Sequence, residues 1–324
     1  MNQAVIAIHG GAGTITRAAM DSSREREYIE ALEQVLIAGQ RVLADGGSAM
    51  DAVTEAVRLL EECPLFNAGK GAVLTHEGTY ELDAAVMDGA TLNAGAVACV
   101  TRLRNPVLAA RAVMDHSEHV LFAGEGAEAF ALSQGLELVS SDYYFTKARH
   151  EQWERARAVK GMALLDHDAA ALANGALAGQ ADPIDPDNKF GTVGAVACDA
   201  HGNLAAATST GGVTNKQVGR VGDTPVIGAG CYADDVAAIS ATGTGEMFIR
   251  TVAAHDVAAQ MRYARVTLEE AARRVVMEKL PAIGGRGGLI AVDRAGNVTL
   301  PFNTEGMYRG LARVGEPVMV AIYG

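Results

Sequence analysis

The chain has 324 residues, 49% of them hydrophobic, enough to bury a large core as one domain or two. A formal charge of −12 repels nucleic acid and anionic membranes, so neither is expected as a partner, and small metabolites remain open. The start MNQAVIAIHG lacks the basic and long apolar parts of a signal peptide, and no run approaches the roughly 20 apolar residues of a membrane span.

In chain order, AVIAI (4–8) reads as a buried strand and HGGAGT (9–14) as a Gly-rich turn after it. Tyr28, Ala31, Leu32, Val35, Leu36 and Val42 recur at helical spacing over about 23–44, and Gly46-Gly47 stop that helix. Ser48 with Asp51 forms a capping box that opens a second helix, to about 62. Strands are predicted near 80–87 and 94–102, a helix opened by Asn105-Pro106 to about 115, a strand at 119–124, and helices near 125–134 and 147–158. The stretch 164–191 is rich in Ala, Asp, Gly and Pro with little periodicity, and reads as a long loose segment. Order returns with a hairpin, 192–199 and 204–209, whose turn DAHGN (199–203) is echoed by DRAGN (293–297) in a second hairpin. Strands near 227–232 and 236–241 lie between them, followed by helices near 244–260 and 267–279, the latter capped by Thr267 and Glu270. Strands in both halves, with helices in blocks, point to sheets packed face to face with helices outside rather than to βαβ alternation. Cys63, Cys99, Cys198 and Cys231 are far apart with no C-x-x-C pair, and read as reduced core residues of a cytoplasmic protein.

Several stretches carry candidate chemistry. HGGAGT could be a phosphate loop, but the Walker Lys-Ser/Thr is missing; it could be the oxyanion loop of an α/β-hydrolase, but no G-x-S-x-G occurs; or it is a tight turn. The eight histidines are scattered without H-E-x-x-H, so histidine-based catalysis has little support. In STGGVTNKQVGRVGDTP (209–225), Arg220 and Asp223 read either as a surface ion pair or as a clamp for a zwitterion, Arg taking a carboxylate and Asp an ammonium. TGTGE (242–246) reads as a strand-to-helix turn or as an oxyanion hole. Thr192 alone is an ordinary strand residue. A cut between Gly191 and Thr192 would change that, because the freed α-amine titrates near 7.7–8.0 and would be a general base carried by the nucleophile itself.

HGGAGT (9–14), PLFNAGKGAV (64–73), ELDAAVMDG (81–89), NPVLAARAVM (105–114), GTVGAVACD (191–199), ATSTGG (207–212), GRVGD (219–223), GAGCYAD (228–234), TGTGE (242–246) and NTEGMYR (303–309) together resemble the plant-type L-asparaginase/isoaspartyl peptidase family of N-terminal nucleophile (Ntn) hydrolases. The resemblance covers nearly the whole chain outside about 135–190. It implies a single α+β domain, a four-layer αββα sandwich. It also implies autocleavage into 1–191, ending in a flexible linker from about 160, and 192–324, and assembly as a dimer of such α/β heterodimers.

Carried over by position, Thr192 is the nucleophile and Thr210 bonds its hydroxyl or amine. Thr242 and Gly243 hold the oxyanion. Arg220 and Asp223 hold the α-carboxylate and α-amine of the substrate, with Gly245 near the amine. Asn67 and the HGGAG loop complete the site. No cofactor is required. The family's structural sodium would be held by main-chain carbonyls of Leu60, Glu61, Cys63, Phe66, Ala68 and Lys70, although similar members often have an apolar residue where Lys70 stands. The expected activity is release of aspartate from β-aspartyl peptides and from asparagine. A glycosylasparaginase and an uncleaved amino-acid-binding protein are the alternatives; the Gly-Thr junction favours the first reading over the glycosylasparaginase.

Overall fold

A computed structural model describes residues 3–158 and 191–324. Of the loose segment read from the sequence, only Gly191 falls within them.

The large sheet has eight strands. They are β1 (Val5–Gly13), β2 (Leu82–Asp88), β3 (Ala94–Val100), β4 (Leu121–Ala123), β5 (Val193–Cys198), β6 (Leu204–Thr210), β11 (Gly306–Arg313) and β12 (Met319–Tyr323), in the spatial order β12-β11-β1-β5-β6-β2-β3-β4. All neighbours pair antiparallel except β3 with β4. A four-stranded antiparallel sheet runs β10 (Val298–Thr299), β9 (Gly287–Asp293), β8 (Ala237–Gly243), β7 (Cys231–Ala233).

Period-two alternation decides the layers. On β1, Ile6 and Ile8 join the core beneath α1 (Ser22–Ala44), α2 (Ala49–Glu62) and α3 (Pro106–His116), while Val5 and Ala7 face the second sheet. That inter-sheet layer also holds Val196, Cys198 and Ala206 from the large sheet and Ala238, Ile290 and Val292 from the small one. The outer face of the small sheet, through Ile239, Ala241 and Leu289, packs on α6 (Gly245–Thr251), α7 (Ala253–Ala259) and α8 (Leu268–Arg274). Three cores between four layers make the αββα sandwich. Two further helices of the first half, α4 (Gly124–Ser133) and α5 (Lys147–Ala158), lie where the periodicity puts them.

Local signals fix most boundaries. Ser48 Oγ accepts from Asp51 N at 3.1 Å, and Thr267 Oγ1 accepts from Glu270 N at 3.2 Å. Such caps contribute about 1 kcal/mol each. The two echoed turns are alike in detail. Asp199 Oδ1 accepts from the backbone of His201 and Asn203 at 2.9 and 3.0 Å, and Asp293 Oδ1 accepts from Ala295 and Asn297, both at 2.9 Å. In both, a glycine at φ near +80°, Gly202 or Gly296, closes the turn.

Three expectations change. HGGAG is not a turn: it is the second half of β1, and the register against β11 shifts between His9 and Ala12. Such an irregularity lets a strand bend while staying in its sheet, which is what the glycines permit here, Gly11 lying at φ +110°. The single helix read over 244–260 is two, broken at Val252, which takes a left-handed φ of +49°. The strand read at 227–232 is only Cys231–Ala233, because Gly228–Gly230 turn back on Asp223.

Candidate active site

Thr192 immediately precedes β5, with only 8% of its surface exposed. Thr210 ends β6, and since Val193 pairs with Ser209 the two threonines are the next across the ladder. Thr192 Oγ1 donates to Thr210 Oγ1 at 3.2 Å, and the latter also accepts from Gly212 N at 2.9 Å. Thr242 and Gly243 end β8 in the sheet stacked against this one. Gly243 lines the cleft with Thr192 and Thr210, and Thr242 Oγ1 is buried with no hydrogen-bond partner among the described residues. At Gly243, φ is +151° and a Cβ would lie 2.3 Å from Arg286 O, so only glycine fits.

Arg220 and Asp223 line the same cleft. Asp223 is buried, and its Oδ2 has no partner among the described residues. Burial pushes its carboxyl up to about 7, against the pull of Arg220. Gly245 opens α6 beside both: a Cβ there would lie 2.8 Å from Asp223 Oδ1 and 3.0 Å from Arg220 Nη2.

The sequence missed Glu246, the residue that closes TGTGE. Its carboxylate takes Arg220 Nε and Nη2 in a two-pronged pair, both at 2.9 Å. It missed Lys216 as well, wholly buried beneath the same loop with Nζ 2.8 Å from Glu81 O. Burial lowers the Lys216 ammonium and raises the neighbouring Asp83 carboxyl from their ordinary values. A buried cation was not legible because nothing in TNKQ distinguishes it from a surface lysine.

Asn67 lies against Gly191: a Cβ on Gly191 would fall 1.9 Å from Asn67 Cβ. This close approach accounts for glycine at 191. Both polar atoms of the Asn67 side chain are engaged by main chain, Nδ2 donating to Gly212 O at 2.7 Å and Oδ1 accepting from Val73 N at 2.9 Å. Asn67 thus braces the loop after Thr210.

Of the residues expected to hold sodium, Leu60 and Glu61 are in the last turn of α2, and Cys63, Phe66, Ala68 and Lys70 lie on the loop after it. The carbonyls of Leu60, Cys63 and Ala68 each accept one long backbone bond, 3.2–3.4 Å, which leaves a lone pair free. The loop is compact: Cβ atoms on Gly69 and Gly71 would lie 2.3 Å from Glu61 O and 2.1 Å from Phe66 O. No cluster of His, Cys, Asp or Glu able to hold a metal occurs among the described residues. A donor set of carbonyl oxygens suits a hard cation.

An αββα sandwich whose threonine-lined cleft opens at the head of an inner strand defines the Ntn class of hydrolases. The asparaginase family profile matches residues 2–322, and the chain belongs to that family. It is 60% identical over 324 residues to the isoaspartyl peptidase of Salmonella typhimurium, covering 100% of this chain and 99% of that one. It is 59% identical to the isoaspartyl peptidase of Escherichia coli, covering 100% and 97%. The isoaspartyl peptidase/L-asparaginase of Xenopus laevis is 39% identical over 304 residues, covering 94% and 90%.

Proposed function

We propose that the chain cleaves itself between Gly191 and Thr192 and then releases L-aspartate from β-aspartyl dipeptides and from L-asparagine. The observation that carries this reading is one cleft lined by Gly191, Thr192, Thr210, Arg220, Asp223 and Gly243. Its lining combines hydroxyls with a guanidinium and a carboxyl.

In the uncut chain, Thr192 Oγ attacks the Gly191 carbonyl carbon. The new C–O bond forms as the Gly191–Thr192 C–N bond breaks, and the hydroxyl proton ends on the departing nitrogen. Water then hydrolyses the ester, giving the Gly191 carboxylate, the Thr192 hydroxyl and a free α-amine. The cleft with Gly191 in place holds about 10 Å³, scarcely the space of one water, so release of residue 191 makes room for substrate.

In the cut enzyme the α-amine takes the Oγ proton as Oγ attacks the substrate's side-chain amide, with Thr210 orienting the hydroxyl. Thr242 and the backbone at Gly243 face the developing oxyanion. Arg220 takes the substrate's α-carboxylate and Asp223 its α-ammonium. The amine or ammonia leaves with the proton, and water resolves the aspartyl ester. A sodium ion on the six carbonyls of the 60–70 loop would supply only rigidity to the segment that carries Asn67; no step passes through it. The active assembly in this reading is a dimer of α/β heterodimers, each pairing 1–191 with 192–324, which sedimentation tests, and its compartment is the cytoplasm, in keeping with four free cysteines.

The test bypasses cleavage by co-expressing 1–191 with 192–324 starting at Thr192, against the same pair carrying Thr192→Ala. The first pair should release aspartate from a β-aspartyl dipeptide. The second should bind aspartate and hydrolyse nothing; turnover by it overturns the reading.

A further inference from the structure

We infer that His9 is a positioning residue: its neutral imidazole donates from Nδ1 to the main-chain carbonyl of Thr192 and so sets the direction of the Thr192 hydroxyl and amine. The inference rests on Thr192 being the nucleophile. It gives the HGGAGT motif a role that neither a phosphate loop nor a turn supplies.

His9 is wholly buried on β1, with Nδ1 3.0 Å from Thr192 O and Nε2 2.8 Å from Ser240 Oγ. A carbonyl can only accept, so Nδ1 carries the proton. Nε2 is then the acceptor, and Ser240 Oγ–H donates to it. Ser240 has spent its proton, so in their 2.7 Å contact Thr208 Oγ1 donates, its one proton going to this contact rather than to the longer 3.2 Å one with Gly230 O. Burial lowers the His9 pKa to about 3, which keeps the ring neutral and this set of bonds in place at working pH.

The network lies under the reaction centre by strand geometry. Side chains two apart share a face, so Thr208 lies beneath Thr210 on β6 and Ser240 beneath Thr242 on β8. The paired register of β1 with β5 runs from Val5 and Cys198 to His9 and Gly194, two residues short of Thr192. There the His9 side chain, rather than its backbone, reaches the Thr192 carbonyl. Gly194 leaves the space for this: a Cβ on it would lie 1.9 Å from Ser240 Oγ and 2.5 Å from His9 Nε2. The chain His9–Ser240–Thr208 ties the carbonyl of the nucleophile to the two strands that carry its partners. It touches neither Arg220 nor Asp223, so its loss should move kcat and not KM.

Two amides separate positioning from packing. An Asn amide places N–H where Nδ1–H was; a Gln amide places its polar group near Nε2. On the pre-cut pair 1–191 plus 192–324, His9→Asn should stay within about tenfold of the parental kcat, while His9→Gln and His9→Phe should fall on the order of 100-fold with KM little changed, the loss that an ångström of misplacement causes. In the uncut chain the same order should appear in the cleavage rate. Gln performing as well as Asn, or all three at the parental rate, would overturn the inference. Because these variants can fail to assemble, the unaltered protein supplies a second reading: ¹⁵N NMR of labelled histidine should show His9 protonated at Nδ1 and bare at Nε2, and the opposite tautomer rules the assignment out. Failure of the nucleophile reading is seen separately, as turnover by the pair carrying Thr192→Ala.

Discussion

The hydroxyl groups and the ionisable groups that line the cleft are positioned by opposite means. Among the groups proposed for reaction, Thr192 and Thr210 are uncharged hydroxyls at the ends of two paired strands, held by ladder register and by the His9–Ser240–Thr208 network, with Gly243 of the stacked sheet lining the same cleft. Among the groups proposed for recognition, Arg220, Asp223 and Glu246 are ionisable side chains on a loop and the first turn of a short helix. The difference teaches what each set must do. A nucleophile needs a fixed direction, and rigid strands supply it. A zwitterion needs partners that are not already satisfied, and the cleft keeps one ready: Asp223 stays buried with one oxygen that has no partner among the described residues, at a cost in stability.

The contrast is broken most completely at the hydroxyl groups. Thr192→Ala should abolish both self-cleavage, read on a denaturing gel, and aspartate release. Thr192→Ser should keep both in weakened form, since it retains the hydroxyl but loses the methyl that fixes its rotamer. Next, Arg220→Ala should cost about 2–4 kcal/mol in kcat/KM on every aspartyl substrate while leaving self-cleavage nearly intact, because the Gly191–Thr192 bond offers no α-carboxylate. Arg220→Lys should recover only part of this, as an ammonium cannot reproduce the planar fork. Parental kinetics in the alanine variant would remove Arg220 from recognition.

Asp223→Asn should cost about 1.5–3 kcal/mol in kcat/KM, the worth of a hydrogen bond to a charged group. It should also stabilise the fold at high pH. With its carboxyl raised to about 7, the folded state holds a proton that the unfolded chain has lost above its ordinary value near 4. The parent therefore loses stability as pH rises through that window, and the variant does not. Thermal melts should show the variant gaining on the parent between pH 4 and pH 8; parallel curves would contradict the burial argument. The smallest effect is expected at Glu246, whose side chain is 46% exposed. Glu246→Gln removes a carboxylate that competes for Arg220, so KM should fall by no more than a few-fold with kcat unchanged, in keeping with about 0.2–1 kcal/mol for such a pair. A large rise in KM would mean instead that Glu246 holds Arg220 in its working position.

The legible parts of the molecule were those governed by neighbours in the chain. Ser48–Asp51, Thr267–Glu270, Asn105-Pro106 and the two Asp-Asn turns act over three or four residues, and each lies where the sequence puts it. HGGAG reads as a turn because glycines in a row signal one locally, whereas pairing with β11, which resumes at Ala12 and Gly13 after β5 has stopped at His9, keeps β1 in the sheet through Gly13. Val252 was passed over because a left-handed residue between two helices leaves no mark on the apolar spacing around it.

Read alone, the sequence determined the motif set, the helix caps, the period-two strands that imply stacked sheets, and, through resemblance, the family. It could name Thr192, Thr210, Arg220, Asp223 and Thr242 as separate stretches. Only the tertiary structure decided that Thr192, Thr210, Arg220 and Asp223 meet in one cleft with Gly243, the neighbour of Thr242, that His9 reaches Thr192 O, and that Glu246 already occupies Arg220. Caps and turns are fixed by hydrogen bonds within a few residues. A contact across 183 residues, as between His9 and Thr192, exists only once register and the stacking of two sheets have been set by burial of the core between them.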